Sequence, residues 1–318
     1  MIRYIGKRLL QMIPILLTVA ILIFTLMYFV PGDPVQIMLG DTATPEQVAA
    51  ARASFGLDQP YIIRLWNYLT GIVHLDFGTS YIQGSSVASE LFLRFPRTLI
   101  LSSLSILFTI VVGIPIGIQC AINANKLSDK IWMFLTMLGN SMPGFWLALL
   151  LVLLFSVKLG LLPSNGTGGI EYYILPVVAN SIGSLADIAR QTRSSMLEVI
   201  RSDYVVTARA KGLKEKAVIW KHALPNALIP IITLCGSRFG FMLGGTVIIE
   251  SVFSIPGIGM YMVNGINSRD YPVVQGSIIY IAFIFAFIML ITDLIYAYVD
   301  PRIKAQYVKA VKKREREV

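Results

Sequence analysis

The sequence predicts an all-α membrane protein that crosses the bilayer six times, with its N and C termini both in the cytoplasm. Three observations lead there. The 318-residue chain is 55% hydrophobic and only 14% charged, with a mean hydropathy of +0.70, which excludes a water-solvated globular domain. Six segments, at 9–30, 98–122, 131–157, 172–189, 227–249 and 277–299, are apolar over the roughly 20 residues that a helix needs to span a hydrocarbon core. Lysine and arginine are segregated between alternate loops, 20 on the side of the two termini and 6 on the other, and the positive-inside rule makes the richer side cytoplasmic.

The first span follows Arg3, Lys7 and Arg8. It is too long for the apolar core of a signal peptide, and Pro31-Gly32-Asp33-Pro34 after it lacks a small-x-small cleavage pattern, so a retained anchor is expected. The external segment up to Arg97 carries its own folding signals. Thr44-Pro45-Glu46-Gln47 reads as a capping box with proline at the first helical position, and Gly56 ends that helix. Asp58-Gln59-Pro60 opens a second helix, on which Ile62, Leu65, Trp66 and Leu69 share a face. Two readings of this segment are open, a cap over the membrane helices and a docking surface for an external partner.

The remaining spans are marked for close packing. Gly113 and Gly117 in the second and Gly236, Gly240 and Gly244 in the fifth recur every four residues, which lets helix backbones approach. Pro14, Pro115, Pro143 and Pro230 fall inside spans, where neighbouring helices must compensate the lost donors. The fourth span is the weakest, interrupted by Asn180, Ser181 and Asp187. Charge inside a bilayer is costly, so Arg238 in the fifth span and Asp293 in the sixth must face the interior or a cavity. For Arg238, pathway lining and a structural pair are both open; Asp293 reads as a structural partner. Glu250 and Asp270 read as solvated groups at the external side rather than gates.

Composition and motifs exclude several functions. The basic residues flank apolar runs rather than forming a nucleic-acid-binding face. Cys120 and Cys235 lie far apart in apolar runs and suggest neither a disulfide framework nor a metal site, and His74 and His222 are equally isolated. No GxSxG or GxxxxGK[ST] occurs, so the chain has neither a hydrolase elbow nor a phosphate-cradling loop of its own. A secondary transporter or channel is the alternative of another class, but no inverted repeat supports it.

The informative stretch is the cytoplasmic loop 190–226. It is strongly basic yet patterned, with Val218, Ile219 and Leu224 as an apolar face. Gly212 breaks a helix ending near Lys211, and a second short helix from Lys214 to Ala223 is stopped by Pro225. A helix projecting between two spans can dock in a groove of another protein. The domain division is then 1–97, an N-terminal membrane helix with the external helical segment; 98–305, a five-helix core with its cytoplasmic loop; and 306–318, a basic tail.

This loop resembles the EAA loop of permeases of binding-protein-dependent ABC importers. Ala208 takes the second alanine position, Gly212 the glycine, and Leu224-Pro225 the closing pair; Val206, Thr207 and His222 depart from the general pattern. Asp203-Tyr204 with Thr207-Ala208-Arg209-Ala210-Lys211-Gly212-Leu213 is similar to the dipeptide, oligopeptide and nickel branch. So, in order, are Pro31-Gly32-Asp33-Pro34, Leu75-Asp76-Phe77-Gly78-Thr79-Ser80, Pro256-Gly257-Ile258-Gly259 and Val299-Asp300-Pro301-Arg302. Arg238 is not expected from that family.

The resemblance implies a type I ABC importer permease-like fold in a bacterial or archaeal plasma membrane. It implies a coupling helix near Gly212, with Ala208, Ala210, Lys211, Gly212, Leu213, His222, Leu224 and Pro225 engaging an ATPase. The implied partners are a homologous second permease, two ATPase subunits, an external solute-binding protein and lipid, without nucleic acid. No cofactor is expected on this chain, ATP and Mg belonging to the ATPases. The implied solute is a di- or oligopeptide, with nickel, glutathione or another small solute as the alternative.

Overall fold

The computed structural model describes residues 2–40 and 43–299. Helix α1 (Ile2–Phe29) leads to three short helices, α2 (Pro34–Leu39), α3 (Pro45–Ser54) and α4 (Tyr61–Val73), and then to the 36-residue α5 (Val87–Ile122). Next come α6 (Leu127–Ser141), α7 (Gly144–Leu151) with a π-helical extension at Val152–Lys158, and the 30-residue α8 (Glu171–Ile200). After α9 (Asp203–Ala210) and the single turn α10 (Glu215–Ala217), a π turn at Val218–Ala223 feeds α11 (Leu224–Val252). Then α12 (Ile258–Asn267) and α13 (Tyr271–Val299) follow. Among the described residues the extended pairing is one isolated bridge, Thr79 with Ser86. The tail 306–318 and the Asp300-Pro301-Arg302 block lie outside the described residues.

Among the described residues five helices are long and apolar enough to cross a membrane, and α6 with α7 and its extension makes a sixth as a broken pair bent by 101°. The third span expected from 131–157 is therefore present as two helical pieces that break at Pro143. Pro143 lacks the N–H to continue the ladder, and its ring forces Met142 into the extended region (φ −86, ψ 132), as the residue before proline requires. The fourth span is longer than its hydropathy suggests and is also the best covered. The best window of α8 has a mean hydropathy of only 1.2, yet 56% of it is buried, against 17% for the far more apolar α1. Its buried Ala179, Ser181, Ser184, Ala186 and Ala189 face protein, so transfer into lipid never tests their polarity.

The chain forms two compact units. One is drawn from the described parts of 1–100, 165–168 and 243–286, the other from 101–164, 169–242 and 287–318. In the first, Ala20 and Ile23 of α1 share a core with Leu91, Ile258, Tyr261 and Ile279. The external helices are ordered by the signals the sequence carries: Thr44 Oγ1 accepts from the Gln47 N–H (3.3 Å) while Gln47 Oε1 accepts from the Thr44 N–H (2.9 Å). On α4 the face expected from Ile62, Leu65, Trp66 and Leu69 is split between core and surface. Tyr68, Leu69 and Ile72 pack on the core, with Phe24 stacked on Tyr68 at 5.3 Å, while Ile62 and Trp66 are 69% and 67% exposed.

Two carboxylates read as solvated are fully buried anchors of this unit. Glu250 (0% exposed) accepts from the Thr98 hydroxyl at 2.6 Å and the Met260 N–H at 3.0 Å, and Thr98 Oγ1 in turn accepts from the Ile258 N–H at 2.9 Å. Asp270 (2%) accepts from the Ser80 hydroxyl at 2.5 Å and the Tyr81 N–H at 3.1 Å. The Pro256-Gly257-Ile258-Gly259 block thereby gains a structural reason. Its backbone is held by Glu250, and a Cβ on Gly257 would collide with that carboxylate. Desolvation is offset by several hydrogen bonds, from α5 and α12 for Glu250 and from the loop at Ser80–Ile82 for Asp270, which is how a buried carboxylate persists.

In the second unit, α5 and α8 meet backbone to backbone. A Cβ on Gly117 would lie 2.5 Å from both the Ala189 carbonyl oxygen and Thr192 Cβ. Overpacking such a contact costs about 1–3 kcal/mol, so Gly117→Val is expected to lower the melting temperature of the purified protein and its level in membranes. Gly144→Ala, where an added Cβ meets nothing within 4 Å, should be nearly silent in the same melting assay.

Candidate functional site

Beyond the expected end of the fourth span, α8 continues to Ile200, and the chain turns through Ser202, whose extended backbone (φ −72, ψ 149) opens α9. Asp203 in the first turn suits the positive end of the helix dipole. The helix closes where the Gly212 N–H reaches the Arg209 carbonyl at 2.9 Å. Gly212 has φ +76, the left-handed conformation that glycine supplies at a helix end without a Cβ penalty.

One face of α9 is anchored. Val205 and Ala208, three residues apart, are 0% and 5% exposed and share a core with Ile118, Ala121, Met196, Val218, Ile219, Ala223 and Ala227. The apolar face expected from Val218 and Ile219 is therefore turned inward and is not offered to a partner. Nor does Pro225 stop a helix. The wide π turn at Val218–Ala223 accommodates its missing N–H, and the helix runs on as α11,. Across the Gly212 turn the Arg209 guanidinium donates to Glu215 twice, Nε to Oε2 at 3.1 Å and Nη2 to Oε1 at 2.8 Å, and reaches the Ile200 carbonyl at 3.3 Å. That hydrogen bonding holds Arg209 above the usual guanidinium pKa. The pair is solvent-accessible, so its contribution is positional more than energetic.

The outward side of this element is partly apolar. Tyr204 (45%), Val206 (54%), Leu213 (41%) and Trp220 (49%) are exposed, alongside Lys211 and Gly212. Of the residues singled out from sequence, Ala210, Lys211, Gly212, Leu213 and Pro225 lie at the surface, His222 and Leu224 are half-buried, and Ala208 is interior. Sequence reasoning missed Tyr204, Val206 and Trp220. The signal was present: once Val205 and Ala208 mark the inward side, helical spacing turns residues 204 and 206 outward.

Two charged clusters lie in the same unit. Asp129, 4% exposed at its side chain, receives both arms of Arg193, Nε at 2.7 Å and Nη2 at 2.6 Å, as well as the Asn125 N–H at 2.9 Å. This ties the turn between α5 and α6 to α8. Arg238 lies midway along α11 and pairs with Asp187 of α8 (Nη2 to Oδ2, 2.6 Å), whose other oxygen takes Arg190 Nη2 at 2.8 Å. Asp293 is half-buried in α13.

Comparison with known proteins gives a consistent picture. Residues 113–305 match the family model described as "Binding-protein-dependent transport system inner membrane component", and residues 1–102 match its N-terminal companion. The chain is 41% identical over 304 residues to the glutathione transport system permease protein GsiC of Salmonella typhimurium, covering 96% of this chain and 99% of that one. It is 40% identical over the same length to the GsiC of Escherichia coli K12. Among solved structures it is similar to the inward-facing MetNI methionine ABC transporter (TM-score 0.58, 19% identity, 66% of this chain and 96% of that chain). An amino acid ABC transporter gives a TM-score of 0.51 at 18% identity, over 67% of this chain and 94% of that one.

Proposed function

Because this chain belongs to the binding-protein-dependent transport system inner membrane components, and is thus a multi-pass permease subunit of an ABC importer with ATP hydrolysis on separate subunits, we propose that α9 and the Gly212 turn are its coupling element and that its solute is a peptide. The observation that carries the first part is two-sided. Val205 and Ala208 root α9 in the core shared with α8 and α11, while Tyr204, Val206, Leu213 and Trp220 face outward. A partner gripping the outer side moves two long helices through the inner one.

In this reading the assembly contains a homologous second permease, two ATPase subunits that hold ATP and Mg, and an external solute-binding protein that delivers the solute. Closure of the ATPases draws the permeases together and opens the pathway outward; hydrolysis returns it. Ala210, Lys211, Gly212, Leu213 and Pro225 belong to the contact surface, with Ala208, His222 and Leu224 supporting it from behind. A peptide solute is supported by the motif blocks of the dipeptide and oligopeptide branch and by the named cargo of its relatives, glutathione, itself a tripeptide.

The test is a cysteine at Leu213 in the assembled importer, treated with a short bifunctional crosslinker. The expected product joins this chain to the nucleotide-hydrolysing subunit, with a yield that changes between ATP-bound and nucleotide-free states. If the crosslink never includes that subunit, the coupling assignment is wrong. Uptake of radiolabelled tripeptide by cells carrying the intact importer, lost on deletion of this chain, tests the solute.

A further inference from the structure

We propose that Arg190 and Arg238, with Asp187 between them, form a cationic station in the solute pathway that receives the carboxylate of an anionic solute. The proposal rests on the importer reading above and narrows its solute to carboxylate-bearing molecules such as peptides with a free C-terminus.

The stoichiometry comes first. One carboxylate lies between two guanidiniums, Arg238 on its Oδ2 at 2.6 Å and Arg190 on its Oδ1 at 2.8 Å, so among the ion pairs of the described residues two positive charges share one negative charge. A structural pair needs no second arginine. The same unit shows what such a pair looks like: Arg193 grips both oxygens of Asp129, which is 4% exposed. At the other cluster Arg190, Asp187 and Arg238 keep 48%, 22% and 32% exposure, and each arginine makes its ion pair through one oxygen of the shared carboxylate.

Position gives the second argument. Arg238 is central in α11, and Asp187 and Arg190 lie where the span expected over 172–189 ends, on α8, which continues to Ile200. Exposed charge within or at the end of a span is tolerated where it faces water, not lipid. A guanidinium presents donors in a planar fork that matches a carboxylate. A solute carboxylate arriving there neutralises the excess charge and competes with Asp187 for the same donors, so it binds without being trapped.

The experiment uses the complete importer, with its ATPase subunits and binding protein, in proteoliposomes. Uptake of trialanine and of trialanine amide is measured for the wild type and for Arg238→Gln, Arg190→Gln and Arg238→Lys. Each probe is normalised to its own wild-type rate, which removes the binding protein's preference. Loss of one charge-assisted contact corresponds to about a tenfold change. The glutamine variants should therefore lose about tenfold in trialanine uptake while the amide stays within about twofold, with lysine restoring part of the loss. Equal loss of both probes, or loss of neither, overturns the station.

If the wild type carries neither tripeptide, the peptide reading fails and the station is tested separately. Ser194→Cys, an exposed position one turn from Arg190, is placed in an importer whose chain carries Cys120→Ala and Cys235→Ala, and is labelled with anionic and cationic thiosulfonates. Relative to a free thiol in solution, the anionic reagent should be favoured, and Arg238→Gln should abolish the preference. No charge preference overturns the proposal.

Discussion

Gly212→Val is expected to abolish solute uptake while leaving the chain in the membrane at its normal level. The backbone at Gly212 has φ +76, and an L-residue there costs about 1–2 kcal/mol, with a β-branched side chain at the upper end. Space is not the obstacle, because an added Cβ would meet nothing within 4 Å. The strain is relieved by moving the turn out of the left-handed region, which displaces Leu213 and pulls against the Arg209–Glu215 bridge on either side of it. A strain of that size is small against a total stability of about 5–15 kcal/mol, so folding survives. Docking does not, because the contact needs the end of α9 held to within about 0.5 Å. Uptake should fall at least about tenfold, read as transport into whole cells beside an immunoblot of the membrane fraction. Gly212→Asn, which tolerates the left-handed region, should keep most activity. Normal uptake by the valine variant would remove the coupling role from this turn.

Arg193→Ala should strongly destabilise the second unit. It leaves Asp129 buried with the Asn125 N–H in place of a bidentate guanidinium. Removing one partner of a buried ion pair costs about 3–5 kcal/mol, because the remaining charge loses its compensation. The melting temperature of the detergent-purified protein and its resistance to proteolysis should both drop sharply. Replacing both members, Asp129→Leu with Arg193→Met, should recover most of the loss, since an apolar pair of similar volume carries no desolvation penalty. If the single variant melts with the wild type, the turn between α5 and α6 is held by something else.

How far the structure was legible in the sequence differs by kind of signal. Hydropathy found the six candidate membrane segments of the described residues, because a backbone in lipid must satisfy its own hydrogen bonds within a long apolar helix,. The capping box at Thr44 was equally plain, being set by residues three apart. Hydropathy misjudged α8, which is covered by protein, and the third span, where Pro143 breaks the helix where other in-span prolines are accommodated. Glu250 and Asp270 were misread for a related reason. Near a span end a carboxylate looks solvated, and the donors that bury it, Thr98 for one and Ser80 with Tyr81 for the other, lie 152 to 190 residues away in sequence.

The candidate coupling surface divides along the same line. The loop motif placed Gly212 and its neighbours, because a left-handed turn closing a helix leaves a local mark. It could not say which side of the loop faces out, since the inward side is fixed by Met196 and Ile219, residues of other elements. By itself, then, the sequence determined the number of apolar segments and the position of the short helix that Gly212 closes, both consequences of local composition and short-range spacing. Only the tertiary structure decided which apolar residues remain outside, that two carboxylates are interior anchors, and that Arg238 shares Asp187 with Arg190. Those outcomes depend on which distant groups arrive to offset desolvation, and no local pattern encodes that.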